Sequence, residues 1–252
     1  MDNTQILALD FDGVIADSID ECLVTAHNGY GKYRQQGDRR QDLRLFSDTE
    51  IHTFRGLRPL IRRGEDYVFL LQAMEEGLQL SSQEQFDDFL NRNESRRDEY
   101  RELFYAERER LQNLEPQKWL ELNPLYPGMA SFLAALDPNT VYIVTTKDLR
   151  SIQLILEHNQ VHLHPENMFQ ADRDFRKPAI LNAIQETNSF EPAQIHFIDD
   201  HVATALEVKH DTEVTVYCAK WGYNTEDQLE TLKAVDIPTV SLDQFMAHFG
   251  EY

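Results

Sequence analysis

Basic residues are scarce in this chain. Its 24 Lys+Arg face 44 Asp+Glu, a formal net charge of −20 over 252 residues. Nucleic-acid binding needs a basic field to offset phosphate charge, so no nucleic-acid partner is expected. Cysteine is nearly absent. Cys22 and Cys218 stand far apart, with no Cys-x-x-Cys or Cys/His spacing of a metal site. They read as buried, inert thiols in a reducing, cytoplasmic setting. Long apolar runs are missing as well: Tyr67-Val68-Phe69-Leu70-Leu71 is the longest strongly apolar run of the first half, far too short to span a bilayer, and no membrane partner is expected. The opening Met-Asp-Asn-Thr-Gln has neither a basic nor an apolar stretch, so a secretory signal is not expected. No repeat or low-complexity tract occurs. What remains is a composition of 41% hydrophobic and 27% charged residues, that of a soluble globular protein. The length suits one large domain, or a core with a second domain inserted.

Against this background the segment Ile6-Leu7-Ala8-Leu9-Asp10-Phe11-Asp12-Gly13-Val14 stands out. An apolar run of strand character delivers two carboxylates, one residue apart, into a glycine turn. Side chains of a strand alternate faces, so Asp10 and Asp12 project together while Phe11 points elsewhere. Carboxylates crowded in this way repel each other unless a cation or a shared proton relieves them. Gly13 lets the backbone turn at once and approach a ligand closely. The pattern suits a hard divalent cation, Mg²⁺ above all, and leaves one carboxylate available as a nucleophile.

Two regions differ in character. From about Ser18 to Asn123 helical patterns dominate. Ser82-Gln83-Glu84-Gln85 reads as a capping box followed by Phe86, Phe89 and Leu90 at helical spacing. Tyr100, Leu103, Phe104, Leu111 and Leu114 continue an apolar stripe until Pro116 interrupts it. From Pro124 onward, short apolar strands alternate with helices. The strands are 141–145, 195–199 and 214–217, and helical stretches at 129–136, 152–158 and 179–187 separate them. Such alternation implies a parallel sheet covered by helices, to which the first strand also belongs. The expected fold is therefore α/β, a Rossmann-like three-layer core with a central parallel sheet, built from residues 1–16 and 123–252. An all-helical domain, residues 17–122, is inserted after the first strand. Charge divides the same way: 16 Lys+Arg against 22 Asp+Glu in 17–122, a net of −6, and 8 against 22 in the remainder, a net of −14. Fourteen of the insert's basic residues are Arg, most of them expected on solvated helix faces beside Glu.

In open α/β sheets, ligands bind beyond the carboxyl ends of the strands. Three strands of this chain end in chemically useful groups. The first ends at Asp10 and Asp12. The second ends at Thr145-Thr146-Lys147, offering a hydroxyl and backbone N–H groups to an anion. The third ends at Asp199-Asp200, a second pair of metal-type carboxylates. Between the last two lies Arg176-Lys177-Pro178, an ammonium just before a proline suited to start a helix.

With these four groups in this order, the chain resembles the haloacid dehalogenase-like hydrolase superfamily. Asp10-Phe11-Asp12-Gly13-Val14, Thr145, Lys177-Pro178 and Asp199-Asp200 match its four motifs. Leu125-Tyr126-Pro127-Gly128 and Trp221-Gly222-Tyr223 match its flanks. The helical insert is similar in placement to the family's C1 cap. Two departures are visible: His201-Val202-Ala203-Thr204-Ala205 lacks the further Asp many relatives carry, and Arg176 stands where Gly often precedes Lys-Pro. The resemblance implies a Mg²⁺-dependent phosphomonoester hydrolase acting on a small phosphorylated metabolite. In it Asp10 is the nucleophile that becomes an aspartyl-phosphate, and Asp12 is the general acid and then the general base. Thr145 and Lys177 bind phosphoryl oxygens. The resemblance places Mg²⁺ on a carboxylate oxygen of Asp10, the main-chain carbonyl of Asp12, and Asp199, with Asp200 as direct or indirect support. Gly13 and Thr146 are expected to border the substrate. An acid at Asp12 argues against a dehalogenase or a phosphonatase.

The same residues would serve a phosphosugar mutase of the β-phosphoglucomutase type, which returns the phosphoryl group to sugar. A catalytically idle relative acting as a binding or regulatory protein is a third reading. In the insert, Arg55, Arg58, Arg62 and Arg63 cluster around Gly56, Pro59 and Gly64, a pattern read as a loop. Arg55 and Arg58 are the expected substrate contacts there. The sequence carries no sign of oligomeric state.

Overall fold

The four residues that lead into Asp10, Ile6–Leu9, are apolar and buried, and they form the centre of the molecule's sheet. The structure is a computed structural model describing residues 5–36 and 38–250. The chain divides into two compact units, one comprising Met1–Asp17 and Pro124–Tyr252, the other Ser18–Asn123.

The first unit holds a six-stranded, all-parallel sheet: β1 (Ile6–Leu9), β2 (Val141–Thr145), β3 (Met168–Gln170), β4 (Ile195–Asp199), β5 (Thr215–Ala219) and β6 (Thr239–Val240). Its spatial order is β3-β2-β1-β4-β5-β6. Every residue of β1, β2 and β4 is buried, as a parallel sheet covered on both faces requires. The register is what positions the site. Leu9 lies opposite both Ile143 of β2 and Ile198 of β4, so the three strands run out together. Strand order reverses direction at β1, between β2 and β4, and the carboxyl ends at such a switch point form a crevice. One core cluster behind it joins Ala8, Val144, Ile180, Leu181, Phe197, Ala205 and Val208. Helix Lys177–Asn188 supplies Ile180 and Leu181, and helix Val202–Asp211 supplies Ala205 and Val208.

The second unit is helical. Ile19–Tyr33, Gly64–Glu75 and Arg97–Leu114 pack together, joined by Asp48–Leu57, Gln83–Arg92 and Pro116–Glu121. Its core is aromatic, with Phe54, Phe69, Phe86, Tyr100, Phe104 and Trp119 all buried. One ion pair is buried within it. Arg108 holds Glu21 with two hydrogen bonds, of 3.0 and 2.7 Å, and Thr25 Oγ1 (2.7 Å) and Trp119 Nε1 (3.2 Å) also donate to Glu21. Every member of that network is thereby hydrogen-bonded, the condition under which a buried charge is tolerated.

Three details differ from the sequence reading. Arg55 and Gly56 lie inside helix Asp48–Leu57, not in a loop, and Arg58–Leu60 forms a further 3₁₀ turn. A complete capping box at Ser47 and Glu50 and the buried anchor Phe54 hold the helix through its glycine. The Ser82 cap forms, but Gln85 accepts from Ser81 N–H rather than Ser82 N–H, so the reciprocal half of that box is displaced by one residue. In the stripe of the long helix, Tyr100, Phe104 and Leu111 are buried while Leu114 is exposed at the helix end. Among the described residues no helix is long and apolar enough to cross a membrane.

Candidate active site

Asp10 follows β1 directly, and its N–H continues the ladder by donating to Ile198 O (2.9 Å). Its carboxylate is buried. Oδ1 accepts from Phe11 N–H (2.8 Å), and Oδ2 is 3.0 Å from Lys177 Nζ. Thr145, at the end of β2, places its hydroxyl beside this carboxylate. Burial pushes the Asp10 carboxyl above the usual carboxylate range; Asp199 adds to the push, while Lys177 and Thr145 oppose it.

Lys177 reaches the site because Pro178 occupies the first turn of helix Lys177–Asn188, where its missing N–H costs nothing. Arg176, where relatives often carry Gly, has a φ of −78° and ψ of 160°. This is extended backbone open to any residue, so no glycine is needed. The ammonium lies 2.7 Å from Asp199 Oδ2 as well as beside Asp10. Burial alone would depress its pKa, but the two carboxylates hold it above the ordinary lysine value.

Asp199 is the last residue of β4 and fully buried; its other oxygen accepts from His201 N–H (2.8 Å). Asp200 is buried next to it, with Oδ2 accepting from Tyr223 N–H (2.6 Å). Carboxylate oxygens of Asp10, Asp199 and Asp200 lie within 4.8 Å of one another. Three buried carboxylates thus lie together, two of them beside the Lys177 ammonium. An all-oxygen donor set of this kind fits Mg²⁺.

Gly13 has φ +88°, and a Cβ there would stand 2.2 Å from Asp200 Oδ2. Only glycine permits both the left-handed turn and this approach. The Asp12 carboxylate is not one of the trio. It is paired with Lys147, whose Nζ is 3.0 Å from Oδ1. The Lys147 side chain is 0% exposed and that of Asp12 21%. Lys147 N–H in turn donates to Thr145 Oγ1 (3.2 Å). Sequence reasoning passed over Lys147 as a site residue. The available signal was its position two residues beyond a strand end. Thr146, between Thr145 and Lys147, is exposed.

The first unit thus brings together Asp10, Asp12, Gly13, Thr145, Lys177, Asp199 and Asp200. Arg55 and Arg58 belong to the helical unit and have partners there. Arg55 Nη1 is 2.6 Å from Asp20 Oδ1, while Arg58 Nη1 donates to Ile61 O (3.2 Å) and its guanidinium lies over the Tyr67 ring.

No family model and no curated protein matches the sequence. Solved structures do match. A haloacid dehalogenase-like family hydrolase from Streptococcus pneumoniae aligns over 99% of this chain and 100% of its own, with a TM-score of 0.61 at 16% identity. A candidate phosphoglycolate phosphatase from Lactobacillus delbrueckii subsp. bulgaricus aligns over 97% and 98%, with a TM-score of 0.65 at 14% identity. A HAD family hydrolase from Deinococcus radiodurans, solved with bound phosphate and sodium, aligns over 95% and 91%, with a TM-score of 0.51 at 16% identity. The chain therefore has the fold of the haloacid dehalogenase-like hydrolases.

Proposed function

We propose that this protein is a Mg²⁺-dependent phosphomonoesterase of the haloacid dehalogenase-like type, acting on a small phosphorylated metabolite. The observation that carries the reading is the convergence on Asp10. A buried carboxylate at the end of the central strand is paired with Lys177, neighboured by the Thr145 hydroxyl and clustered with Asp199 and Asp200. Phosphoryl transfer demands positioning and charge stabilisation more than covalent ingenuity, and these residues are of the types that supply both.

In this mechanism an Asp10 carboxylate oxygen attacks phosphorus and the ester P–O bond breaks, forming an aspartyl-phosphate. Asp12 gives its proton to the departing alkoxide. It then takes a proton from water, which attacks phosphorus, releases inorganic phosphate and restores Asp10. Thr145 and Lys177 bind the phosphoryl oxygens, and Lys147 holds the Asp12 carboxylate in place between the two steps. Asp10, Asp199 and Asp200, with the Asp12 carbonyl, would hold Mg²⁺, which when bound offsets the phosphoryl charge. The helical unit is assigned the role of a cap, with Arg55 and Arg58 as its candidate substrate contacts. Phosphoglycolate belongs among the first esters to try, because two structural neighbours carry that description.

The test is phosphate release from a panel of phosphate esters, with Mg²⁺ and with a chelator. Release that needs Mg²⁺, and its loss in Asp10→Asn, are the expected results. Full activity in Asp10→Asn, or a phosphoryl group trapped on another residue, would defeat the reading. Phosphoryl return to sugar instead of water would point to a mutase.

A further inference from the structure

We propose that the loop 221–224 is a two-armed positioning element, setting the Asp200 carboxylate with one arm and clamping the Asp12 turn with the other. The inference rests on the phosphatase reading for its catalytic arm. Its structural content is independent of that reading.

The first arm grips Asp200. Tyr223 N–H donates to Asp200 Oδ2 (2.6 Å), and Asn224 Nδ2 donates both to Asp200 O (3.1 Å) and to Ala219 O (2.8 Å). Asn224 thus ties the residue after β4 to the end of β5. Contact is close enough that a Cβ on Gly222 would lie 2.3 Å from Asp200 Cβ and 2.4 Å from Gly13 O. The loop backbone lies flat against both.

The second arm reaches the segment after Asp12. Trp221 Nε1 donates to Val14 O (3.0 Å), and the Tyr223 hydroxyl donates to Asp17 Oδ1 (2.8 Å). That segment is a compact turn: Gly13 N–H donates to Ala16 O (2.9 Å), while Ile15 and Ala16 N–H both donate to Phe11 O (2.8 and 3.0 Å). Asp12 rides on this turn, so whatever fixes residues 14 and 17 fixes the frame from which its carboxylate reaches Lys147. Both arms emerge from four consecutive residues. Side-chain bonds from outside the turn hold its far end, as outer partners orient the groups that bind.

The arms separate experimentally. Asn224→Ala removes the two side-chain bonds of the Asp200 arm, to Asp200 O and Ala219 O, and leaves the Tyr223 N–H bond and the second arm in place. It should raise the calorimetric Kd for Mg²⁺ roughly tenfold, the lower end of what orienting partners of metal ligands contribute. Tyr223→Phe keeps the backbone bond to Asp200 and removes only the Asp17 arm. It should leave the Mg²⁺ Kd within about twofold while lowering kcat for p-nitrophenyl phosphate by roughly tenfold. Amide hydrogen exchange of a peptide covering residues 11–17 should quicken in Tyr223→Phe and not in Asn224→Ala. Asp17→Asn retains an acceptor for the hydroxyl and should restore the wild-type exchange rate that Asp17→Ala loses. The inference is overturned if either variant moves both readouts together, or if neither moves any. If wild type cleaves no ester while the Kd and exchange differences appear, the positioning element stands and the phosphatase reading falls.

Discussion

Lys177 is the ammonium set between Asp10 and Asp199 of the carboxylate trio, and replacing it by methionine tests the electrostatics of the site directly. Its Nζ sits 3.0 Å from Asp10 and 2.7 Å from Asp199, with the side chain almost wholly buried. At an effective dielectric of about 20, a pair roughly 4 Å apart gains about 4 kcal/mol of Coulomb energy, so two closer pairs gain somewhat more than twice that. Desolvation of the three charges consumes most of it. The observable remainder, when one partner of a buried pair is deleted, is about 3–5 kcal/mol. For a chain of this length each kcal/mol moves the melting temperature by about 2–4 °C, so metal-free Lys177→Met should melt roughly 6–20 °C below wild type. Mg²⁺ should recover much of that loss, because a cation at the trio relieves the same repulsion. The variant should also bind Mg²⁺ about tenfold more tightly than wild type, about 1.4 kcal/mol, while its turnover collapses. Differential scanning calorimetry of both proteins, with and without saturating Mg²⁺, reads all but the turnover. Lys233→Met removes an exposed pair with Glu230 and serves as a control expected to shift by less than about 1 kcal/mol. A Lys177→Met protein that melts with wild type in chelator, or gains no more from Mg²⁺ than wild type, would refute the reasoning.

Three further outcomes are expected. Burial, reinforced by Glu65, raises the Asp66 carboxyl from 3.8 to about 6. The native state then holds a proton the unfolded chain has released, so stability should fall as pH rises from about 4 to 6. Urea titrations should show that slope in wild type and a flatter one in Asp66→Asn, which keeps an oxygen to accept from Arg62 and Arg63 N–H. Glu21→Leu should destabilise the helical unit by about 3–5 kcal/mol by leaving Arg108 buried without its carboxylate, measured by chemical denaturation. The double variant Glu21→Leu/Arg108→Met should recover part of the loss; no recovery would contradict the pairing argument. Gly222→Ala should abolish ester cleavage and lower the melting temperature, since its new Cβ would fall 2.3 Å from Asp200 Cβ. Ordinary activity in that variant would show the loop to be free to move aside.

Much of the core was readable from residue order. An apolar run ending in acid, hydroxyl or paired acids marks a strand that opens onto a site, and β1, β2 and β4 all carry that signature. Pro178 announced the helix that delivers Lys177. The β3 and β6 strands left no such trace, because three and two residues are too few to show a period. Gly56 and Pro59 have breaker chemistry, yet a strong N-terminal cap and the burial of Phe54 outweighed it. Lys147 was hidden for another reason. Whether a lysine beyond a strand end turns inward depends on the course of the turn, and its partner Asp12 lies 135 positions away. The bond between Tyr223 and Asp17 spans 206 positions and has no local signal at all.

The central place of β1 has a consequence for how the chain is made. The strand that both β2 and β4 must flank is synthesised first, and its neighbours begin only at Val141 and Ile195. Until Val141 is reached Ile6–Leu9 has no edge to pair with, while the helical unit, closed within 106 consecutive residues, already has its whole core. Contacts near in sequence form fast and distant ones slowly, so the helical unit should fold on the ribosome around an unpaired apolar strand left waiting. Ala16 and Leu125 form a bridge, and Asp17 N–H donates to Pro124 O (2.9 Å), so the chain leaves and rejoins the first unit at one place. That junction brings the waiting strand back within reach of the sequence that completes its sheet. Pulsed hydrogen exchange during refolding should therefore protect Val24 and Phe104 before Leu9, and early protection at Leu9 would reverse the order.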